Sequence, residues 1–419
     1  MISQLSTRMR ARLARFLGNV SEGLCRRASV FVGEMVYGIL ASGSVVLTRI
    51  GRQLGEPISL KQTEKRLSRN LARPELAQVI SARLLDDAAR LIGRDTLLVL
   101  DPTDICKPHA RKMEYLATIR DGSEKRLGKG YWMVSVVAAT TGKRAMIPLW
   151  SQVFSQESPN FISENAEILQ ALRRISRATE GRGVWVIDRG GDRGRLFREL
   201  LRKDAGYRFI VRLRGDRLLI PPRGSAAVAM ELAKKTVLPY RKAIVRDRGE
   251  RSWTSTVHFG ARRVSLPNHP DTVLWLVVVT GLGRQPLLLL TNCTLKRTAR
   301  QIRWAVDSYL TRWSIEETIR WIKQEYDLEN VRVLTFQRLR NLVWLVTLAA
   351  YYLSVLVTDR HRLWLSVIRL IDVGKPLFGM PRMPLYALSR GIATVFSRHP
   401  RAPRPLKPPS PHQLPLFET

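Results

Sequence analysis

The sequence predicts a mixed α/β sheet with helices on both faces, preceded by an all-helical segment and interrupted by a mostly β insertion. Three observations carry that reading. Residues 1–90 hold apolar-periodic segments and no convincing strand. Two buried apolar runs, TLLVL and VWVI, each end in an aspartate, Asp101 and Asp188, among helical patterns. Residues 215–290 then change texture, rich in Arg, Pro and Gly with alternating strand-like pieces.

The elements follow in order. FVGEMVYGIL and SVVLTRIGRQL are helical segments parted by Gly43, and SLKQTEKRLSRNL opens with Ser59 as an N-cap. Short helices in a row, the last strongly basic, suit a DNA-binding module, with a solvated scaffold as the alternative. TLLVLDPTD reads as a buried central strand that ends in acidic residues. YWMVSVVAAT and AMIPLWSQVF are joined by the turn signal TTGKR as a hairpin. The helix ENAEILQALRRI, the strand GVWVIDRGGD, the basic helix RLFRELLRK and the strand YRFIVRLRG come next. In the insertion SWTSTVHFGARRVSL, TVLWLVVVTG and PLLLLTN read as strands, and from residue 296 the chain is helical again. The last nineteen residues, RAPRPLKPPSPHQLPLFET, are Pro-rich, basic and expected to be an extended tail.

Composition narrows the function. The 419 residues carry 70 Lys plus Arg against 35 Asp plus Glu, a formal charge of +35, yet 45% are hydrophobic. A globular chain so charged repels itself unless a polyanion neutralises it, and nucleic acid is the commonest such partner. Cys25, Cys106 and Cys293 offer neither zinc spacing nor a disulfide framework, which points to a reducing compartment. The six histidines show no metal-ligand pattern, so any metal would be an oxygen-loving one held by carboxylates. The basic N-terminus lacks the apolar stretch of a secretory signal. The run from Leu342 to Val357 falls short of the roughly 20 residues a spanning helix needs. It reads as a core helix, and a soluble, cytoplasmic protein with no membrane partner is expected.

Asp101 and Asp188 sit directly on apolar runs, where a carboxylate is costly without a metal or partner. The plainer alternative is that each caps the following turn, and Asp104 and Asp192 lie close enough to confuse the assignment. A third carboxylate lies in YLTRWSIEETIRWIKQEYDLENVR, residues 309–332, read as one helix. At about 100° per residue, Tyr309, Arg312, Glu316 and Lys323 share an arc of roughly 60°. Spacing alone also allows an ordinary solvated face, since Arg312 and Glu316 form an i,i+4 pair.

Taken together, these residues resemble the insertion-sequence-four (IS four) group of bacterial DDE transposases, which includes the transposase of transposon five. Tyr309-x2-Arg312-x3-Glu316-x6-Lys323 matches the signature around that family's third acidic residue. DPTD at Asp101 and VIDRGGD at Asp188 resemble its first and second motifs, in the same order, over residues 96–355. The resemblance implies an RNase H-like catalytic core interrupted by a β subdomain. It implies Asp101, Asp188 and Glu316 as catalytic residues that hold two divalent ions, with Asp101 bridging both. Mg²⁺ suits such an oxygen-only set, with Mn²⁺ as the alternative. Tyr309, Arg312 and Lys323 are then contacts to DNA phosphates, and Trp253 and Trp275 are candidates for stacking a flipped base, against a core role in their strands.

The partners implied are double-stranded DNA, as transposon ends and target, and a second copy of the chain in a dimeric synaptic complex. The expected domains are a helical DNA-binding domain over 1–90, a catalytic core over 91–214 and 291–360, a β insertion over 215–290, and a C-terminal region over 361–419. Three other readings compete. A tyrosine recombinase would use Tyr309 as nucleophile, but no Arg and His cluster leads up to it. An RNase H-like nuclease would use the same metals without strand transfer. A domesticated DNA-binding protein would need none of the three acidic positions.

Overall fold

The computed structural model describes residues 2–120, 122, 126–141, 146–248, 251–296, 298–358 and 384–397. Five helices come first: α1 (Ile2–Val20), α2 (Arg26–Ser42), α3 (Leu47–Leu54), α4 (Leu60–Leu71) and α5 (Leu76–Ala89). Ser59 caps α4 as its sequence context suggests, in a reciprocal capping box with Gln62.

The sheet begins with β1 (Leu97–Cys106), β2 (Ala117–Arg120), β3 (Leu127–Ala139) and β4 (Met146–Phe154). Helix α6 (Glu164–Ala178) leads to β5 (Val184–Ile187), and α7 (Gly194–Leu200) leads to β6 (Phe209–Arg212). A short pair, β7 (Leu218–Leu219) and β8 (Ala227–Val228), precedes α8 (Ala229–Lys234). The long antiparallel strands β9 (Tyr240–Arg248), β10 (Arg251–Leu266), β11 (His269–Thr280) and β12 (Leu287–Thr291) follow. Four helices complete the described chain: α9 (Ala299–Thr311), α10 (Trp313–Glu325), α11 (Phe336–Thr358) and α12 (Pro384–Ser397).

Among the described residues there is one ten-stranded sheet, in the order β2-β3-β1-β5-β6-β12-β11-β10-β9, with β4 on the outer edge of β3. Strand β3 runs antiparallel to β1 and β4, whereas β5 is parallel to β1 and β6 parallel to β5. The segment 215–290 is β-rich as expected, but its main strands do not form a sheet of their own. Strand β12 pairs antiparallel with β6 and covers an edge whose N–H and C=O groups would otherwise be unpaired.

Each face of the sheet has a core. Leu97 and Val99 point into one, with Ile302, Val306 and Tyr309 of α9. Leu98 and Leu100 point into the other, with Trp321 and Ile322 of α10, helix α11 and the N-terminal helices. The N-terminal segment therefore shares a continuous core with the sheet. Asn341 of α11 donates to the Leu71 and Arg73 carbonyls and accepts from the Ala77 amide, and the Tyr351 hydroxyl lies 2.6 Å from the Asp87 carboxylate. Among the described residues, Phe336–Val357 is the one single helix long and apolar enough to cross a membrane; 83% of its most apolar window is buried, so it is a core helix of this fold. The Pro-rich tail lies outside the described residues.

Two expectations are corrected. Asp101 does not end its strand: β1 runs on to Cys106, held by β3 alone after β5 stops at Ile187. Pro102, which has no N–H for a second ladder, stands where that ladder has ended. The segment 309–332 is not one helix. Arg312 separates α9 from α10, and α10 ends at Glu325, two residues before a left-handed Asp327. The break lets the chain pass from one face of the sheet to the other at the level where β5 ends.

Candidate active site

The parallel register of β1 and β5 builds the site. Leu100 stands opposite Ile187, the last pair of the ladder, so Asp101 and Asp188 follow it side by side. Asp188 turns its carboxylate back to accept from the Gly190 amide at 2.6 Å, in a 3-10 turn over Arg189–Gly191. The second glycine of DRGG is required there, because a Cβ on Gly191 would meet the Ile187 side chain at 2.4 Å. Part of the capping alternative is thus correct for Asp188, yet it does not use up the carboxylate.

Glu316 lies in the first turn of α10, and Arg312 lies just before it. The Arg312 guanidinium is 3.3 Å from the Glu316 carboxylate and 3.9 Å from that of Asp101. Its side chain is only 5% exposed, against 57% for Glu316. It rests over the Tyr309 ring, 5.7 Å from the centroid. Burial alone would lower its pKa, but Tyr309 and the carboxylates of Asp101, Asp188 and Glu316 outweigh burial and raise it. Arg312 is a fixed cation set among three carboxylates.

Asp101 feels the same crowding from the other side. Burial pushes its pKa up to about 7, opposed by Arg312 and reinforced by the charges of Asp188 and Glu316. Arg312 alone does not offset the burial of this carboxylate. Among the described residues, no three of His, Cys, Asp and Glu are drawn together tightly enough to hold a metal ion as they stand. The donors fit a hard cation in kind, since all three are carboxylates, and a guanidinium now supplies the charge between two of them.

The other expected residues are placed as follows. Tyr309 is fully buried, and its hydroxyl makes no well-formed hydrogen bond although Arg212 lies beside it. Burial raises its pKa and also closes it off, so in this conformation it is exposed neither as a nucleophile nor as a phosphate contact. Its observed role is to support Arg312. Lys323 lies against Asp104 at 3.5 Å and Glu329 at 3.0 Å, away from the three carboxylates. Trp275 is a core residue of β11, with Arg263 stacked over it. The side chain of Trp253 lies outside the described residues.

The neighbouring acids are separated cleanly. Asp192 is buried, bound by Arg217 and by the Arg214 amide at 2.7 Å, so it braces the loop after β6. Asp192→Ala is expected to destabilise the fold by about 3 kcal/mol, because it strands a charge partner. A fall in the urea midpoint with no change in slope would show it.

Reading the sequence missed several residues. Arg212 ends β6 beside Tyr309, and Arg189 and Arg214 line an open cavity next to Asp188. The alternation in IVRLR was the available signal for Arg212 and Arg214. Trp313, 41% exposed and next to Arg312, presents an aromatic surface where α10 begins.

The chain belongs to the transposase DDE domain family, whose model matches residues 92–353. That span includes β1, β5, α9 and α10, and with them every residue of the site. A search of curated proteins found no match. Among solved structures, the cryo-EM structure of a piggyBac transposase synaptic complex with hairpin DNA aligns over 95% of this chain and 78% of that chain, at 11% identity and a TM-score of 0.43.

Proposed function

We propose that this protein is a cut-and-paste DNA transposase of the insertion-sequence-four group, cutting and rejoining DNA phosphodiester bonds with divalent metal ions at Asp101, Asp188 and Glu316. The observation that carries the reading is the β1–β5 register, which sets Asp101 beside Asp188 on neighbouring strands while Arg312 ties Glu316 to Asp101. Carboxylates converging from separate elements are what two-metal phosphodiester chemistry requires. The order β4-β3-β1-β5-β6, antiparallel and then parallel, supports an RNase H-like core at residues 97–212.

The ions, Mg²⁺ or Mn²⁺, would be held by the three carboxylates. The chemistry they supply when bound is activation of water or of a DNA 3′-hydroxyl, and stabilisation of the leaving oxygen. The chain's own groups do the rest. Asp101 gives up its proton as positive charge arrives, since only burial and its acidic neighbours hold that proton near neutrality. The Gly190 amide fixes the carboxylate of Asp188. Arg312 orients Glu316 and is close enough to turn toward a scissile phosphate. Arg189 and Arg214 flank the cavity at Asp188 as phosphate contacts, and Trp313 offers a face for an unstacked base. The acting form is a dimer that holds two transposon ends.

Glu316→Ala is the test. The variant is expected to lose Mg²⁺-dependent cleavage of the element's ends while it still binds duplex DNA. A variant that cuts as the wild type does removes Glu316 from the site.

A further inference from the structure

A second basic feature lies further along the same strand. Past Cys106, the last residue of β1, an open groove is walled by the loop after β1, the start of β3 and the turn after α10. Lys107, Arg111, Lys112, Arg126, Lys129 and Arg332 line it, and among the described residues Asp327 and Glu329 are the acids of its wall.

Both acids are committed. Asp327 pairs with Arg49 and accepts from Asn330, while Glu329 pairs with Lys323. Lys107 is fixed by the Glu329 and Val331 carbonyls at 2.6 and 2.7 Å, and burial together with Arg332 lowers its pKa. Arg111 and Lys112 are exposed, and their side chains make no ion pair or hydrogen bond among the described residues. A convex solvated surface scatters its charges into water. Here the cations line one concavity whose described acids are already paired, which suits a polyanion.

The groove also lies at a defined distance from the carboxylates. Cys106 lies five steps along β1 from Asp101, which at ~3.3 Å per residue is roughly 17 Å. A DNA strand advances about 3.4 Å per nucleotide, so the span corresponds to about five nucleotides. We propose that this groove is a second DNA-binding track, which takes the backbone of duplex DNA about five nucleotides from the bond at Asp101. The inference rests on the transposase reading above for the position of that bond, and on the groove itself for the ligand. Contacts here are to phosphate, so they add affinity and register without reading sequence.

The test is a salt titration of binding to a random-sequence duplex of about 30 base pairs in EDTA, using the full chain. The double variant Arg111→Ala, Lys112→Ala is expected to give a log K against log salt slope shallower by about 1.8, the loss of two phosphate contacts. Both side chains are exposed, and Arg111→Lys with Lys112→Arg should restore the slope. Arg174→Ala with Arg177→Ala, an exposed pair on α6, serves as the charge-matched control and should leave the slope unchanged. An unchanged slope in the groove variant, or an equal loss in the control, overturns the groove proposal. Loss of cleavage in Glu316→Ala alongside that result would leave the active-site reading standing. A wild type that does not bind the duplex overturns both.

Discussion

Replacing Asp101 by asparagine is expected to make the metal-free protein more stable and catalytically dead. The stability effect follows from the sign of the pKa shift. Asp101 has a folded-state pKa of about 7, well above the ordinary carboxylate range, because burial and then the charges of Asp188 and Glu316 disfavour its anion. Between about pH 4 and 7 the folded protein holds a proton that the unfolded chain has released, so stability falls as pH rises through that window. At pH 8 the whole penalty is present, up to ~4 kcal/mol, and Asn should recover ~2 kcal/mol of it after the loss of attraction to Arg312. Below about pH 4 wild type and variant should coincide. Urea unfolding at several pH values measures this. If Asp101 holds a metal ion as proposed, cleavage should fall by about 10³-fold or more, since the loss of such a carboxylate withdraws several kcal/mol of transition-state stabilisation. A variant less stable than wild type at pH 8 would show that Asp101 is a satisfied structural acid.

The second large effect is expected at Arg312. Its guanidinium is buried, packed on Tyr309 and shared between Asp101 and Glu316. Arg312→Ala leaves three carboxylates without their internal cation and should cost about 3 kcal/mol, as for other broken buried pairs. The loss should be smaller in the Asp101→Asn background, with a coupling of about 1 kcal/mol or more in the double-mutant cycle. Saturating Mg²⁺ should also offset part of it, because the ion replaces the missing positive charge. An additive cycle with no rescue by Mg²⁺ would place Arg312 in the fold and outside the charge balance of the site.

These effects depend on features of unequal legibility in the sequence. That Asp101 and Asp188 end apolar runs is a local fact, and strands form at those runs, although β1 continues past Asp101 to Cys106. That the two stand side by side is a matter of register between strands more than eighty residues apart, and no local pattern encodes it. Helical spacing correctly brought Arg312 and Glu316 to one face, because i,i+4 geometry is intrinsic to the helix. It did not reveal the break at Arg312, nor the burial of Tyr309, since both follow from α9 packing on one face of the sheet and α10 crossing toward the other. Lys323 shares the expected face, yet that face meets Asp104 further along β1. Likewise β12 reads as a strand, but its pairing with β6, which joins the insertion to the main sheet, is a long-range choice. The N-terminal helices read as a separate module because their amphipathic pattern does not say what covers their apolar faces. The answer is the sheet together with α11, whose Asn341 meets Leu71 across 270 residues of chain.

Asp101, Asp188 and Glu316 are proposed to form one divalent-metal site. The most direct measurement is anomalous diffraction from crystals of the full chain bound to duplex DNA and soaked in Mn²⁺. An anomalous peak is expected between the carboxylates of Asp101 and Asp188, with Glu316 turned toward it and the Arg312 guanidinium moved off Asp101. Manganese bound elsewhere, with Arg312 still seated between Asp101 and Glu316 and no peak at Asp101, would contradict it.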